Sequence, residues 1–432
     1  MTKHPLHKHA PHRGRWLLSL MIGVVVWGNH IPSVAVERPQ ESTETVAESS
    51  FTLHGFGTLG VARSSSDQAE FVRDLSQPRG ISNHWSGRID SVMGLQANWQ
   101  ATRELELVGQ VVSRYQHNES RDPEVMWGFA KWDIDGRLEL RAGRLGADFL
   151  MGADSRLVGY SYLPVRPSVD YFGPLLFSYF DGADASATFP LAGGLLRTKA
   201  YAGLSREKGS SGGVVWDASD STLKGLVFDY FTGPWQVRAS ATHVRLSRDM
   251  PFGPLPSSLH TAGTALGIPQ AIAAAHTLAV GGSTSQFITV GMVYDDGPLQ
   301  VQGMVNTIRH DTGAFENSQA GYLLSAYRLG AITPYVGYSW WKSKSKHLAT
   351  GLPNTGALIA LNQGFDSVLR DSASDQKTYT LGARWDIMPD VALKAQWDTI
   401  NGKPRSIFPY RAEKLGWTGH TDVFSLTLDF VF

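Results

Sequence analysis

Residues 421–432 read TDVFSLTLDFVF. Phe424, Leu426, Leu428, Phe430 and Phe432 fall on one parity, and Ser425, Thr427 and Asp429 on the other, with a slip near Asp422 and Val423. A period of two is the signature of a strand with one apolar and one polar face. The same period recurs upstream. Val391, Leu393, Ala395 and Trp397 oppose Lys394, Gln396 and Asp398. Tyr379, Leu381, Ala383, Trp385 and Ile387 oppose Thr378, Thr380, Arg384 and Asp386. Leu105, Leu107, Gly109, Val111 and Ser113 oppose Glu104, Glu106, Gln110 and Arg114.

Working back from the terminus, sixteen such segments are expected near 51–63, 86–99, 104–116, 124–135, 136–146, 175–189, 194–206, 222–232, 234–247, 284–295, 298–310, 318–328, 331–343, 376–387, 390–400 and 421–432. Their connections alternate between tight turns, such as Asp135-Gly136, Gly233-Pro234 and Met388-Pro389, and long loops, such as 147–174, 248–283 and 344–375. A soluble sandwich has no reason to sort its loops this way. An up-and-down barrel across a membrane does, with short turns on the periplasmic side and long loops outside. An even strand number puts both chain ends on the short-turn side.

The polarity of the faces agrees. A polar face carrying Glu139, Arg141 and Lys394 cannot line a dry core, because unpaired buried charge is costly. Sixteen strands also enclose more space than side chains fill. The fold expected is therefore all-β: a closed antiparallel up-and-down transmembrane β-barrel of about 16 strands over residues 51–432. Trp99, Trp132, Trp235, Trp340, Trp341, Trp385, Trp397 and Tyr410 sit near strand ends, as interface aromatics do.

Composition sets the boundaries. Among 432 residues there are 45 glycines, 13 tryptophans and no cysteine, and charged residues make up 18%. A soluble domain carries about 25% charge. Zero cysteine excludes disulfide scaffolds, thiolate metal sites and cysteine nucleophiles. Equal numbers of basic and acidic residues, 39 each, exclude the basic surface that a nucleic-acid partner needs.

The first 35 residues read as a secretory signal peptide. Lys3, Lys8, Arg13 and Arg15 precede the apolar run LLSLMIGVVVWG at 17–28, and Ser33-Val34-Ala35 offers a cleavage site, with Ala47 as the alternative. The run is too short to span a bilayer. Cleavage after Ala35 removes four of the 39 basic residues and none of the 39 acidic ones, leaving a net charge of −4. His4, His7, His9 and His12 belong to this leader rather than to a metal tract, and residues 36–50 form a disordered polar lead-in.

The opening FTLHGFGTLGVAR at 51–63 and the terminal VFSLTLDFVF ending in Phe432 resemble the Gram-negative outer-membrane porins, a likeness that covers residues 51–432. The resemblance implies a water-filled channel for passive diffusion of ions and small hydrophilic solutes, in a trimer set in outer-membrane lipid and lipopolysaccharide. It implies an assembly signal at Phe430 and Phe432 read by barrel-assembly machinery, and a third long loop folded into the lumen. That loop is ADFLMGADSRLVGYSYLPVRPSVDYFGP at 147–174, which lacks the family's acidic Pro-Glu-Phe-Gly-type stretch and carries Asp148, Asp154, Arg156, Arg166 and Asp170 instead. No cofactor and no metal are implied. A substrate-specific channel for a sugar, phosphate or aromatic acid is the alternative, with Tyr160, Tyr162 and Tyr171 in its favour; a barrel enzyme or adhesin is the third.

Parity nominates the pore-lining residues: Arg88, Asp90, Glu104, Glu106, Arg114, Lys131, Asp133, Arg137, Glu139, Arg141, Lys199, Arg238, Arg384, Lys394 and Asp398. Arg137, Arg141 and Arg144 would make a basic row facing Asp148 and Asp154, a transverse field that tunes which ions pass. Gly55, Gly57 and Gly60 spell GxGxxG, but no helix pattern follows to meet a pyrophosphate, so close packing explains them better. His54, His117, His243, His310 and His420 are scattered, and neither GxSxG nor HExxH occurs.

Overall fold

The computed structural model describes residues 50–211, 214–343, 348–371, 373–404, 410–411 and 413–432. The signal peptide and all of the lead-in except Ser50 lie outside them. Sixteen antiparallel strands close into one barrel. They are β1 Ser50–Ser64, β2 Val92–Gln100, β3 Leu105–Arg114, β4 Glu124–Ile134, β5 Leu138–Gly146, β6 Tyr179–Leu191, β7 Gly194–Leu204, β8 Thr222–Thr232, β9 Trp235–Arg245, β10 Thr284–Asp296, β11 Leu299–His310, β12 Ser318–Tyr327, β13 Ile332–Ser343, β14 Asp375–Met388, β15 Val391–Gly402 and β16 His420–Val431. Each pairs with its neighbours in the chain, and β1 pairs β16 from Phe56–Val431 to Ser64–Val423 to close the wall. Every sequence segment holds a strand, with ends displaced by a few residues.

The alternation has the expected sense. In β10, Ile288, Val290 and Met292 are exposed on the outside, while Ser285, Phe287, Thr289 and Val293 are buried inside. Trp99, Trp132, Trp235, Trp385 and Trp397 lie on the outer face. Trp341 does not: adjacent to Trp340, it must take the opposite face, and it is buried in the lumen. The Tyr410 side chain is outside the described part. Tight turns use positive φ where the twist of a two-residue hairpin requires it, at Asp135 and Gly136 and at Ala192 and Gly193.

Closure depends on glycine. Gly55 exchanges backbone hydrogen bonds with Phe432 at 2.8 and 2.9 Å. A Cβ at Gly57 would stand 2.4 Å from the Phe430 ring, and one at Gly55 2.1 Å from the Phe432 ring. The terminal rings thus lie across the first strand and shield its bare backbone, as the GxGxxG reading in terms of close packing expected.

The long loops all leave from one end, and they hold structure of their own. Helices α1 Val169–Phe172, α2 Leu255–Leu266, α3 Pro269–Thr277 and α4 Leu358–Asp371 stand where the sequence suggested only loops. Gly267, at φ 66°, ends α2, and Pro269 starts α3. Leu259 packs against Ala271, Ala274, Leu278, Phe365 and Leu369, a small core outside the barrel. No helix among the described residues is long and apolar enough to cross a membrane.

Candidate functional site: the barrel interior

The third long loop, between β5 and β6, passes through the lumen and is tied to both walls. At one wall Asp148 accepts from Lys199 Nζ at 2.7 Å on β7 and from Arg238 on β9. Arg238 in turn grips Asp229 of β8 at 2.6 and 2.7 Å. At the other wall Arg166 donates to Asp90 at 2.9 and 2.7 Å, to Asp398 of β15 at 3.1 Å and to Ser425 of β16 at 2.5 Å. Lys394 Nζ donates to the carbonyls of Gly159, Tyr162 and Pro164 at 2.7, 2.6 and 3.1 Å, and pairs with Asp429 at 3.1 Å. β8 and β16 stand eight places apart in a ring of sixteen, so the two anchorages are half a circumference apart.

These ties are dry. Arg166, Lys394, Asp90 and Asp429 are all buried to within about 1% of full exclusion from solvent. Charges so placed must be paired and hydrogen-bonded, and these are. The loop backbone is fitted to them: a Cβ at Gly159 would stand 2.1 Å from Asp429 Oδ1. Asp170 accepts from Ser339 at 2.7 Å and Gln376 at 2.6 Å, and burial raises its carboxyl pKa. Arg384 donates to the Tyr160 carbonyl at 2.7 Å and lies over the Tyr160 ring.

Water reaches a different part of the wall. On β2 to β7, Asn98 donates to Glu106 at 2.6 Å, Glu106 pairs with Lys131, and Glu139 lies 3.7 Å from Arg141 and 3.6 Å from Arg197. Arg141 also grips Asp184 at 2.9 Å. The side chains of Glu106, Lys131, Glu139, Arg141 and Arg197 keep 14–34% of their surface open. This is a mixed-sign ladder on the inner face of a wall whose outer face is apolar.

Several sequence expectations need correction. Arg88 is not on a strand: it lies in the loop before β2, where it donates to the Gly80 carbonyl at 2.9 Å and covers the Tyr115 ring. Arg137 sits exposed at the β4–β5 turn, and Asp133 is engaged there with the Gly136 amide at 2.9 Å. Arg144, three residues from Arg141, falls on the outer face and pairs with Asp181 at 2.7 Å. The basic row therefore does not form. Nor does it face Asp148, which is neutralised by Lys199 and Arg238. Asp154 is half-buried, and desolvation followed by the Asp148 charge raises its carboxyl pKa. Arg156 is spent on the Leu175 carbonyl and Ser178 Oγ, at 3.2 and 2.6 Å.

Arg114 points inward at the end of β3 and donates to Ser76 at 2.6 Å, beside Asp74 and the buried Glu207. Burial pushes the Glu207 carboxyl up to about 7 against the pull of Arg114 and Arg156. Asp184 and Asp229 are not among the residues the sequence nominates, and Asp429 is placed there only on the polar face of the last strand. Their parity was legible, for example Asp184 and Ser186 against Ala183 and Ala185, but alanine gives the outer face little apolar contrast.

No family model matches the chain, and no curated protein matches it. Solved structures do. The chain is similar to an anion-selective porin from Comamonas acidovorans, with 15% identity, a TM-score of 0.51, and 89% of this chain and 100% of that one covered. It is also similar to OmpF of Salmonella typhi in complex with daunomycin, with 11% identity, a TM-score of 0.52, and 88% and 97% covered. OmpT, an outer membrane protein of Vibrio cholerae, aligns over 88% of this chain and 98% of that one, with 14% identity and a TM-score of 0.49, too distant to carry weight. At these identities the likeness speaks to fold alone: a general-porin-like outer-membrane barrel.

Proposed function

We propose that the chain is an outer-membrane channel for passive diffusion of ions and small hydrophilic solutes. The observation that carries this reading is the open ladder of Glu106, Lys131, Glu139, Arg141 and Arg197 inside a wall that is apolar outside. An apolar exterior suits lipid and a charged interior suits water, which is how strand faces divide in a membrane barrel. Ion pairs of both signs select weakly and leave size as the main filter. Export through the signal peptide, recognition of Phe430 and Phe432 by the assembly machinery, a homotrimeric state, and contact with lipopolysaccharide complete the proposal. Liposomes containing the protein should swell in pentose and hexose solutions and not in dextran. Swelling no faster than in empty liposomes would contradict it.

A substrate-specific channel is the second reading, favoured by the loop tied at both walls, which leaves less room than a loop along one wall. Saturable block of the current by one solute would support it. An enzyme reading meets Ser285 Oγ, which lies 2.7 Å from His310 Nδ1. On the channel reading Ser285 is inert, and a fluorophosphonate probe should leave it unlabelled.

A further inference from the structure

The outer half of the lumen has an apolar side. Val244 of β9, Phe287 of β10, Ile308 of β11 and Trp341 of β13 all point inward and are buried or line a cavity there. Leu176 and Phe177 of the crossing loop bound it on another side, and Met250, Phe252 and Val368 of α4 come from the long loops at the outer end. Together they enclose a chamber of about 370 Å³. That is within the range of small-molecule sites, which run from roughly 300 to 1,000 Å³. A wall meant only to conduct hydrated solutes gains nothing from aliphatic and aromatic side chains here, since wetting them costs free energy.

The chamber also has an aromatic corner. The Trp216 ring, on an outer-loop hairpin, lies 6.0 Å from Phe315, and Phe315 lies 5.2 Å from the His310 imidazole. Trp216 Nε1 is buried with no hydrogen-bond partner among the described residues. A buried donor left unpaired is costly, so an occupant with an acceptor is favoured. Glu316 among the lining groups disfavours an anion, and the apolar surroundings penalise a charge of either sign.

We propose that this chamber binds a small, uncharged aromatic solute carrying one hydrogen-bond acceptor, received at the outer end of the barrel. Binding does not depend on conduction, so the two readings fail separately. The test is calorimetric titration of the full chain in detergent micelles with acetophenone, against a micelle blank and against benzoate. Acetophenone should bind saturably at one site and benzoate should not. Trp216→Phe keeps the ring and removes the donor, and should weaken binding by about fivefold. Phe315→Asp should weaken it at least by about tenfold. Both positions are outside the barrel strands, and heat-dependent gel migration checks that each variant is a closed barrel. If Phe315→Asp fails to fold, Trp216→Phe decides alone. Acetophenone heats equal to the micelle blank would overturn the proposal, as would wild-type affinity in Trp216→Phe.

Discussion

Arg166 and Lys394 hold the crossing loop at one wall, and both do so without water. Replacing Arg166 with methionine leaves Asp90 and Asp398 buried without their cation. Breaking a buried pair in this way costs about 3–5 kcal/mol. The expected outcome for Arg166→Met is a lower temperature for conversion of the folded gel band, together with larger conductance as the loop detaches. Glu207 gives a pH-dependent prediction. Its carboxyl titrates near 7 in the folded chain against 4.5 unfolded, so between those values the folded state binds the extra proton and stability falls as pH rises. The contribution is complete below 4.5 and gone above 7. Because Glu207 accepts from the Ser178 amide at the end of the crossing loop, proteolysis of the outer loops should be slower at pH 5 than at pH 8. Glu207→Gln should abolish that difference. Charge placement at this scale was half legible. Parity put Arg141, Arg238, Arg384 and Lys394 inside, but partners such as Arg166 and Asp398, 232 residues apart, are set by closure of the whole ring.

At the scale of the element, period two marks the strands because each presents an apolar face outward and a polar face inward, and a one-residue slip would exchange them. The helices escaped because the loop sequences carry no comparable contrast: α2 and α3 are rich in alanine, serine and threonine and fold against one another and α4. The crossing loop is legible in the sequence only as a long segment between two strands, and its path depends on anchors in β7, β9, β15 and β16 that no local pattern shows. The seam between β1 and β16 is the element most sensitive to volume. Gly57→Leu should displace the Phe430 ring and destabilise the closed barrel by about 1–3 kcal/mol. The same substitution at Gly109, whose Cβ position is empty, should change the gel-band conversion temperature little.

At the scale of the molecule, the scarcity of charge follows from a wall whose outer face is apolar, and the strict alternation of short and long connections puts the long loops at one end. The interior divides into a wet, charged flank on β2 to β7 and an apolar flank on β9 to β13, with the tied loop between the two anchorages. Sequence periodicity reveals the barrel, since it repeats in every strand. It does not reveal the division of the lumen, because Phe287, Ile308 and Trp341 break the rule that the inner face is polar. The central claim is that this interior conducts. Purified protein added to a planar bilayer should produce discrete, ohmic current steps in potassium chloride, with weak preference between cation and anion. A bilayer that stays silent across several salts, with protein shown by gel shift to be folded and inserted, would contradict it.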